Sequence, residues 1–183
     1  MSDARADLLA RVLDCAARDG LADRSLREIA AGVGTSHRML LYHFGSREAL
    51  LIEVIRTVEA QQRAALTAIL QEEADAPPAE IMRRMWARVA DPALWPNERL
   101  FFEVYAQALQ GSPHALPLLD GIVDAWVEPL AALVAPGRPR EEARAEARLG
   151  VAVVRGLLLD LLATGDRAAA DAAMERYIGM MPA

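Results

Sequence analysis

The side chains able to do chemistry are few and scattered. His37, His43 and His114 are the histidines, and Cys15 is the single cysteine. They form no ligand set at zinc spacing, and no Glu-x-x-His pair stands on a helix as di-metal carboxylate bundles require. One cysteine makes no internal disulfide. Neither a metal nor a cofactor is expected, and catalysis has no constellation to run on. The informative run is Thr35-Ser36-His37-Arg38-Met39-Leu40-Leu41-Tyr42-His43-Phe44. On a helix, Leu40 and Phe44 lie four apart and share a core-facing side. Arg38, Met39 and Tyr42 fall on roughly the opposite side, presenting a guanidinium that can bond guanine or phosphate, a thioether and a phenol. His37 stands in the first turn, the part of a recognition helix that approaches base edges. Thr35 and Ser36 place hydroxyls near the helix N-terminus, where phosphate oxygens are well received.

These residues need rigid elements around them. Leu8, Leu9, Val12, Leu13 and Ala16 form one helical stripe, which Gly20 can end in a left-handed cap. Ser25-Leu26-Arg27-Glu28 is a capping box opening a short second helix through Ile29 and Ala30. Gly32-Val33-Gly34 interrupts it, and a third helix runs from about Ser36 to His43, stopped near Gly45. Three short helices with a glycine turn of this length make a helix-turn-helix unit. Ser46 caps a long fourth helix reaching about Glu73, with Asp75-Ala76-Pro77-Pro78 closing it. Further helices are expected at about 79–90, 97–110, 117–134, 140–164 and 167–180, with Ala135-Pro136-Gly137-Arg138-Pro139 as a linker. No segment shows sustained period-two alternation, so the fold is expected to be all-α. An N-terminal three-helix domain, 1–45, would be joined by a long helix to a helical bundle within 46–183, about nine helices in total.

The chain has 183 residues, 54% hydrophobic and 25% charged, enough for a packed core. No apolar run is long enough for a membrane span, and the MSDARAD start lacks the features of a secretory signal, so a cytoplasmic protein is expected. The net charge of −6 argues at first against a nucleic-acid partner, but it is uneven. Up to residue 56 eight arginines balance eight acids, leaving twelve arginines against eighteen acids beyond. A neutral front third can still gather arginines on one face.

The run SLREIAAGVG-TSHRMLLYHFGSREALL resembles the DNA-binding segment of the tetracycline-repressor (TetR) family. Tyr42, His43 and Phe44 followed by Ser46, Arg47, Glu48 and Leu50 carry the resemblance, which covers about the first 55 residues. It implies that Tyr42, His43 and Arg47 touch the phosphate backbone, with Arg27 joining from the second helix, while His37, Arg38 and Met39 face bases. Leu41 departs from the pattern, because many members carry a tyrosine there. Only Arg5 precedes the first helix, so a basic arm reading the minor groove is not expected.

Six of the nine aromatic residues lie between positions 86 and 126, with Met82 and Met85 nearby. Taken alone, such residues fill a core. The resemblance implies a small-molecule cavity, and Trp86, Phe102, Tyr105 and Trp126 are the residues assigned to it. The helix at 140–164 is apolar around nearly its whole circumference in its second half, which calls for burial on two sides. Ala152, Val153, Gly156 and Leu157, with Ala173 and Tyr177 of the last helix, are the expected homodimer interface. A wholly internal core helix is the competing reading.

The expectation is a dimeric, sequence-specific transcriptional repressor on a pseudo-palindromic double-stranded DNA operator. Two recognition helices would enter successive major grooves. A small apolar effector preferring one conformer would shift the fourth helix and release the DNA; release rather than tightening follows the family's habit. The alternative is a DNA-binding regulator that senses no small molecule.

Overall fold

A computed structural model describes residues 3–72, 76–134 and 139–181. Among them there are nine α-helices and no strand: α1 Asp3–Asp19, α2 Leu26–Gly32, α3 His37–Phe44, α4 Arg47–Glu72, α5 Pro78–Val89, α6 Trp95–Leu109, α7 Asp124–Val134, α8 Arg140–Thr164 and α9 Arg167–Ile178. The expected linker at 135–138 and the close of α4 at 73–75 lie outside the described residues.

The chain divides into two compact units. The first comprises Met1–Gln61 and Pro92–Asp120, the second Gln62–Asp91 and Gly121–Ala183. In the first unit, α1 buries Leu8, Leu9, Val12 and Ala16 as its stripe predicts, together with Cys15. Gly20 ends it at φ +71°, its N–H donating to the Ala16 carbonyl at 2.9 Å. α2 contributes Leu26, Ile29 and Ala30, α3 contributes Leu40 and Phe44, and α4 contributes Leu50, Leu51, Val54 and Ile55 to the buried residues. α6 supplies Leu100, Phe101 and Val104 and packs against α1.

The second unit is built on α7, α8 and α9 with α5. Val127 and Ala131 of α7 pack with Ala143, Ala147 and Val151 of α8, flanked by Val123, Trp126 and Leu130. Small residues on α8 let the α7 backbone approach closely. α9 closes the unit through Ala170, Met174 and Ile178, tied to α5 by an Arg83–Glu175 pair in which Arg83 Nε donates to Glu175 Oε1 at 2.8 Å.

One expected helix is shorter than its pattern. The span read as a helix over 117–134 is a 3-10 turn, Leu116–Leu119, followed by a break and then α7 from Asp124. Asp120 is extended and Gly121 takes φ +68°, a conformation favouring glycine. Leu118 and Leu119 before Asp120 and Ile122 and Val123 after Gly121 continue the apolar pattern, which concealed the break. α6 begins at Trp95 rather than after Pro96, because a proline in a first helical turn costs no hydrogen bond.

Candidate nucleic-acid interface

The helix-turn-helix is assembled from local signals that all form. The Ser25 Oγ accepts from the Glu28 N–H, and the Glu28 carboxylate accepts from the Ser25 N–H at 2.8 Å and hydroxyl at 2.7 Å. Those two donors, hydroxyl first, hold the Glu28 carboxyl below the usual glutamate range. α2 stops at Val33, and Gly34 at φ +67° turns the chain so that the Thr35 N–H reaches the Ala30 carbonyl at 2.9 Å. Ser36 then caps α3, its hydroxyl oxygen accepting from the Met39 N–H at 3.2 Å. Gly45 at φ +80° ends α3, and Ser46 Oγ accepts from the Ala49 N–H at the start of α4.

This framework gives α3 two unlike sides. Leu40 is fully buried and Phe44 nearly so. Arg38, Met39, Leu41 and Tyr42 are exposed, Tyr42 to 79%. His37, Thr35 and His43 are half-buried, and Ser36 and Arg27 are exposed. The Tyr42 and His43 rings meet edge to face at 4.9 Å, which restrains both at the end of the helix. The exposed Tyr42 stands beside Arg38 and Met39 on a helix anchored from behind by Leu40 and Phe44. Leu41, where the family pattern has a tyrosine, adds an apolar surface to it.

Arg47 is placed differently from these. Its Nε donates to the Arg24 carbonyl at 2.7 Å and its Nη2 to the carbonyls of Leu21 and Ala22. Arg5 behaves alike: its Nε donates to the His43 carbonyl at 3.2 Å, it pairs with Glu53, and its guanidinium lies 5.0 Å from the Phe44 ring centre. Arg11 Nη1 donates to the Val33 carbonyl at 2.8 Å. No local pattern announced these bonds, which join residues 22 to 48 positions apart.

The residues assigned to an effector fall in both units. Phe102 and Tyr105 belong to the first, where Phe101 stacks on Tyr105 with centroids 5.4 Å apart and meets Phe102 edge-on. Trp86 and Trp126 belong to the second. Trp86 is buried and its indole N–H donates to Asp171 Oδ1 at 2.6 Å; Trp126 is half-buried with Arg63 over its ring. Sequence reasoning did not single out Asn97. It is buried in the first unit, its Oδ1 has no hydrogen-bond partner among the described residues, and it lines a cavity of about 10 Å³ with Val54, Val58, Glu98 and Phe101. That volume holds one water-sized donor.

On α8 the residues assigned to a dimer separate by side. Ala152 and Gly156 are exposed and Val153 and Leu157 half-buried. Leu149 at 56% and Leu159 at 52% exposed share the side of Ala152 and Gly156. On α9 Ala173 is exposed, whereas Tyr177 is half-buried, its hydroxyl beside Gly150, and burial pushes that phenol's pKa up.

Among the described residues no group of three or more His, Cys, Asp or Glu side chains could hold a metal ion, and no helix is long and apolar enough to cross a membrane. The three-helix unit has the geometry of a helix-turn-helix within an all-helical fold. Residues 8–54 match the family model of bacterial regulatory proteins, tetR family. In this segment the chain is similar to the bacterial regulatory proteins of the tetR family. Solved structures share the fold over nearly its whole length. A transcriptional regulator from Rhodococcus sp. Rha1 superposes with a TM-score of 0.77 at 24% identity, covering 99% of this chain and 96% of its own. A TetR transcriptional regulator from Legionella pneumophila gives 0.71 at 17% identity, covering 98% and 97%. A regulator from Saccharomonospora viridis, solved in complex with choline, gives 0.71 at 22% identity, covering 96% and 94%. No curated protein matches the chain.

Proposed function

We propose that the chain is a homodimeric repressor that binds a pseudo-palindromic operator through α3 and is released by a small apolar effector. The observation that carries the DNA-binding part is the two-sided α3, anchored by Leu40 and Phe44 and presenting Arg38, Met39 and Tyr42 outward. In this reading His37, Arg38 and Met39 meet base edges, while Thr35, Ser36, Tyr42, His43 and Arg27 meet phosphates. Residues 1–45 read DNA, and residues 46–183 bind effector and dimerise.

The dimer is supported by α8. Leu149, Ala152, Gly156 and Leu159 form an exposed apolar stripe on the single chain, spaced three and four apart. A second copy covers such a stripe by two-fold pairing, with Ala173 of α9 at its side.

An effector is supported by aromatic residues in each unit taken separately, Phe102 and Tyr105 in the first and Trp86 and Trp126 in the second, and a regulator of this fold from Saccharomonospora viridis was solved in complex with choline, a small organic cation. The alternative, regulation without an effector, draws on Trp86: its indole N–H is already donated to Asp171, as in a residue that serves the core.

The test is selection from a randomised duplex library. Wild type is expected to enrich a palindrome, and Arg38→Ala and Tyr42→Ala to lose it. Absence of enrichment at low salt sinks the DNA-contact reading. Thermal shifts of wild type against Trp126→Ala and Tyr105→Ala in a screen of small apolar compounds test the effector. Equal shifts in all three proteins remove these residues from the effector site.

A further inference from the structure

Two arginines of the first unit that charge alone would send to DNA phosphates are turned into the protein. Arg5, which lies in the first turn of α1 and not before that helix as the sequence suggested, bonds the His43 carbonyl, pairs with Glu53 of α4 and lies over the Phe44 ring. Arg47, two residues past Gly45, lays its guanidinium on the carbonyls of Leu21, Ala22 and Arg24 in the turn between α1 and α2. The Arg5 interactions hold the C-terminal end of α3. Those of Arg47 hold the chain just beyond it.

The chemistry suits both places. The last carbonyls of a helix lack intrahelical partners, and His43 provides one of them. A guanidinium offers several coplanar donors and a permanent charge, so it can satisfy such a carbonyl, favour the negative end of the helix and pair with a carboxylate together. Arg5 makes all three interactions. Arg47 uses the same fork to gather three carbonyls of a turn that no helix ladder satisfies. α3 has only eight residues and buries two of its own, Leu40 and Phe44, so the bonds at its C-terminal end add to the few interactions that fix its orientation.

We propose that Arg5 and Arg47 are positioning residues for DNA recognition, setting the orientation of α3 rather than binding the DNA backbone. The proposal rests on the DNA-contact reading of α3 given above.

The salt dependence of binding separates the two roles. Removing one phosphate ligand lowers the slope of log K against log salt by about 0.9. A tilted recognition helix instead weakens its hold on the bases and keeps its phosphate ligands. The experiment measures affinity for the selected operator and for a random duplex across a salt series, with wild type, Arg5→Ala, Arg5→Lys, Arg47→Ala and Arg47→Lys. Each protein is held at a temperature where circular dichroism shows it fully folded. The expected result is a roughly tenfold loss of operator affinity in the alanine variants, comparable to one base interaction, with an unchanged slope and unchanged random-duplex binding. Lysine keeps the charge but not the fork, so Arg5→Lys regains part of the loss beside Glu53 and Arg47→Lys little. If an alanine variant fails to fold, its lysine counterpart carries the same comparison.

A slope reduced by about one in either series makes that arginine a phosphate ligand and overturns the proposal. Folded variants with lower melting temperatures but wild-type selectivity reduce both residues to a stabilising role, which also overturns it. Wild type that selects no duplex removes the DNA-contact reading itself, a result distinct from either.

Discussion

Trp86 and Asp171 are joined by a 2.6 Å hydrogen bond from the indole N–H to the carboxylate, and Arg167 donates to the same oxygen at 2.7 Å. Arg167 also reaches the Ala90 carbonyl at 2.9 Å, just past the end of α5. The indole thus sits in a polar network that locks α5 onto α9. Trp86→Phe removes the donor and some buried volume. A loss of about 1–2 kcal/mol is expected, the lower part of the range for charged hydrogen bonds because Asp171 is partly solvated. Denaturant unfolding measures it, and unchanged stability would free the indole for a ligand.

Gly156 offers a test of the dimer whose sign is informative. A Cβ built there meets nothing within 4 Å in the single chain. In a monomer, Gly156→Ala should stabilise α8 by about 1 kcal/mol through helix propensity. In a dimer packed on that stripe the methyl group holds the partner backbone away. We expect Gly156→Ala to weaken self-association in sedimentation equilibrium, and Gly156→Arg to abolish it. A stabilised variant with unaltered association would place the interface elsewhere.

Gly45 contrasts with Gly156. It also has open space around its missing Cβ, but its φ is +80° and its ψ −52°. Gly45→Ala meets no neighbour and still forces a positive-φ, γ-turn backbone that L residues rarely adopt, at a cost of about 1–3 kcal/mol. A melting temperature below wild type and weaker operator binding are expected. An unchanged melting temperature would mean that the turn relaxes without strain.

The capping box gives α2 a pH dependence. The Ser25 hydroxyl and N–H lower the Glu28 carboxyl, so its contribution is present above the unfolded value of about 4.3 and fades as pH falls through the lower folded value. Glu28→Gln removes that titration. Melting temperatures of the two proteins should differ at neutral pH and converge as the solution is acidified. A constant difference down to about pH 3, below the unfolded glutamate value, would assign the effect to something other than the charge.

What was legible in the sequence is what neighbours in the chain decide among themselves. The Ser25–Glu28 box, the Ser36 and Ser46 caps, the turn at Gly34 and the Leu40/Phe44 side of α3 all depend on short spacings along the chain. Their energetics are therefore written into nearby positions. The tertiary structure alone decided where the long side chains go. Arg5 and Arg47 look like surface charge in the sequence, and only packing brings them to carbonyls that need donors. The aromatic residues between 86 and 126 form one cluster along the chain and are shared between two units, because the chain changes unit after Asp91 and again after Asp120. Hydrophobic periodicity records that a face is buried, while the partner that buries it is set by packing between residues far apart in the chain.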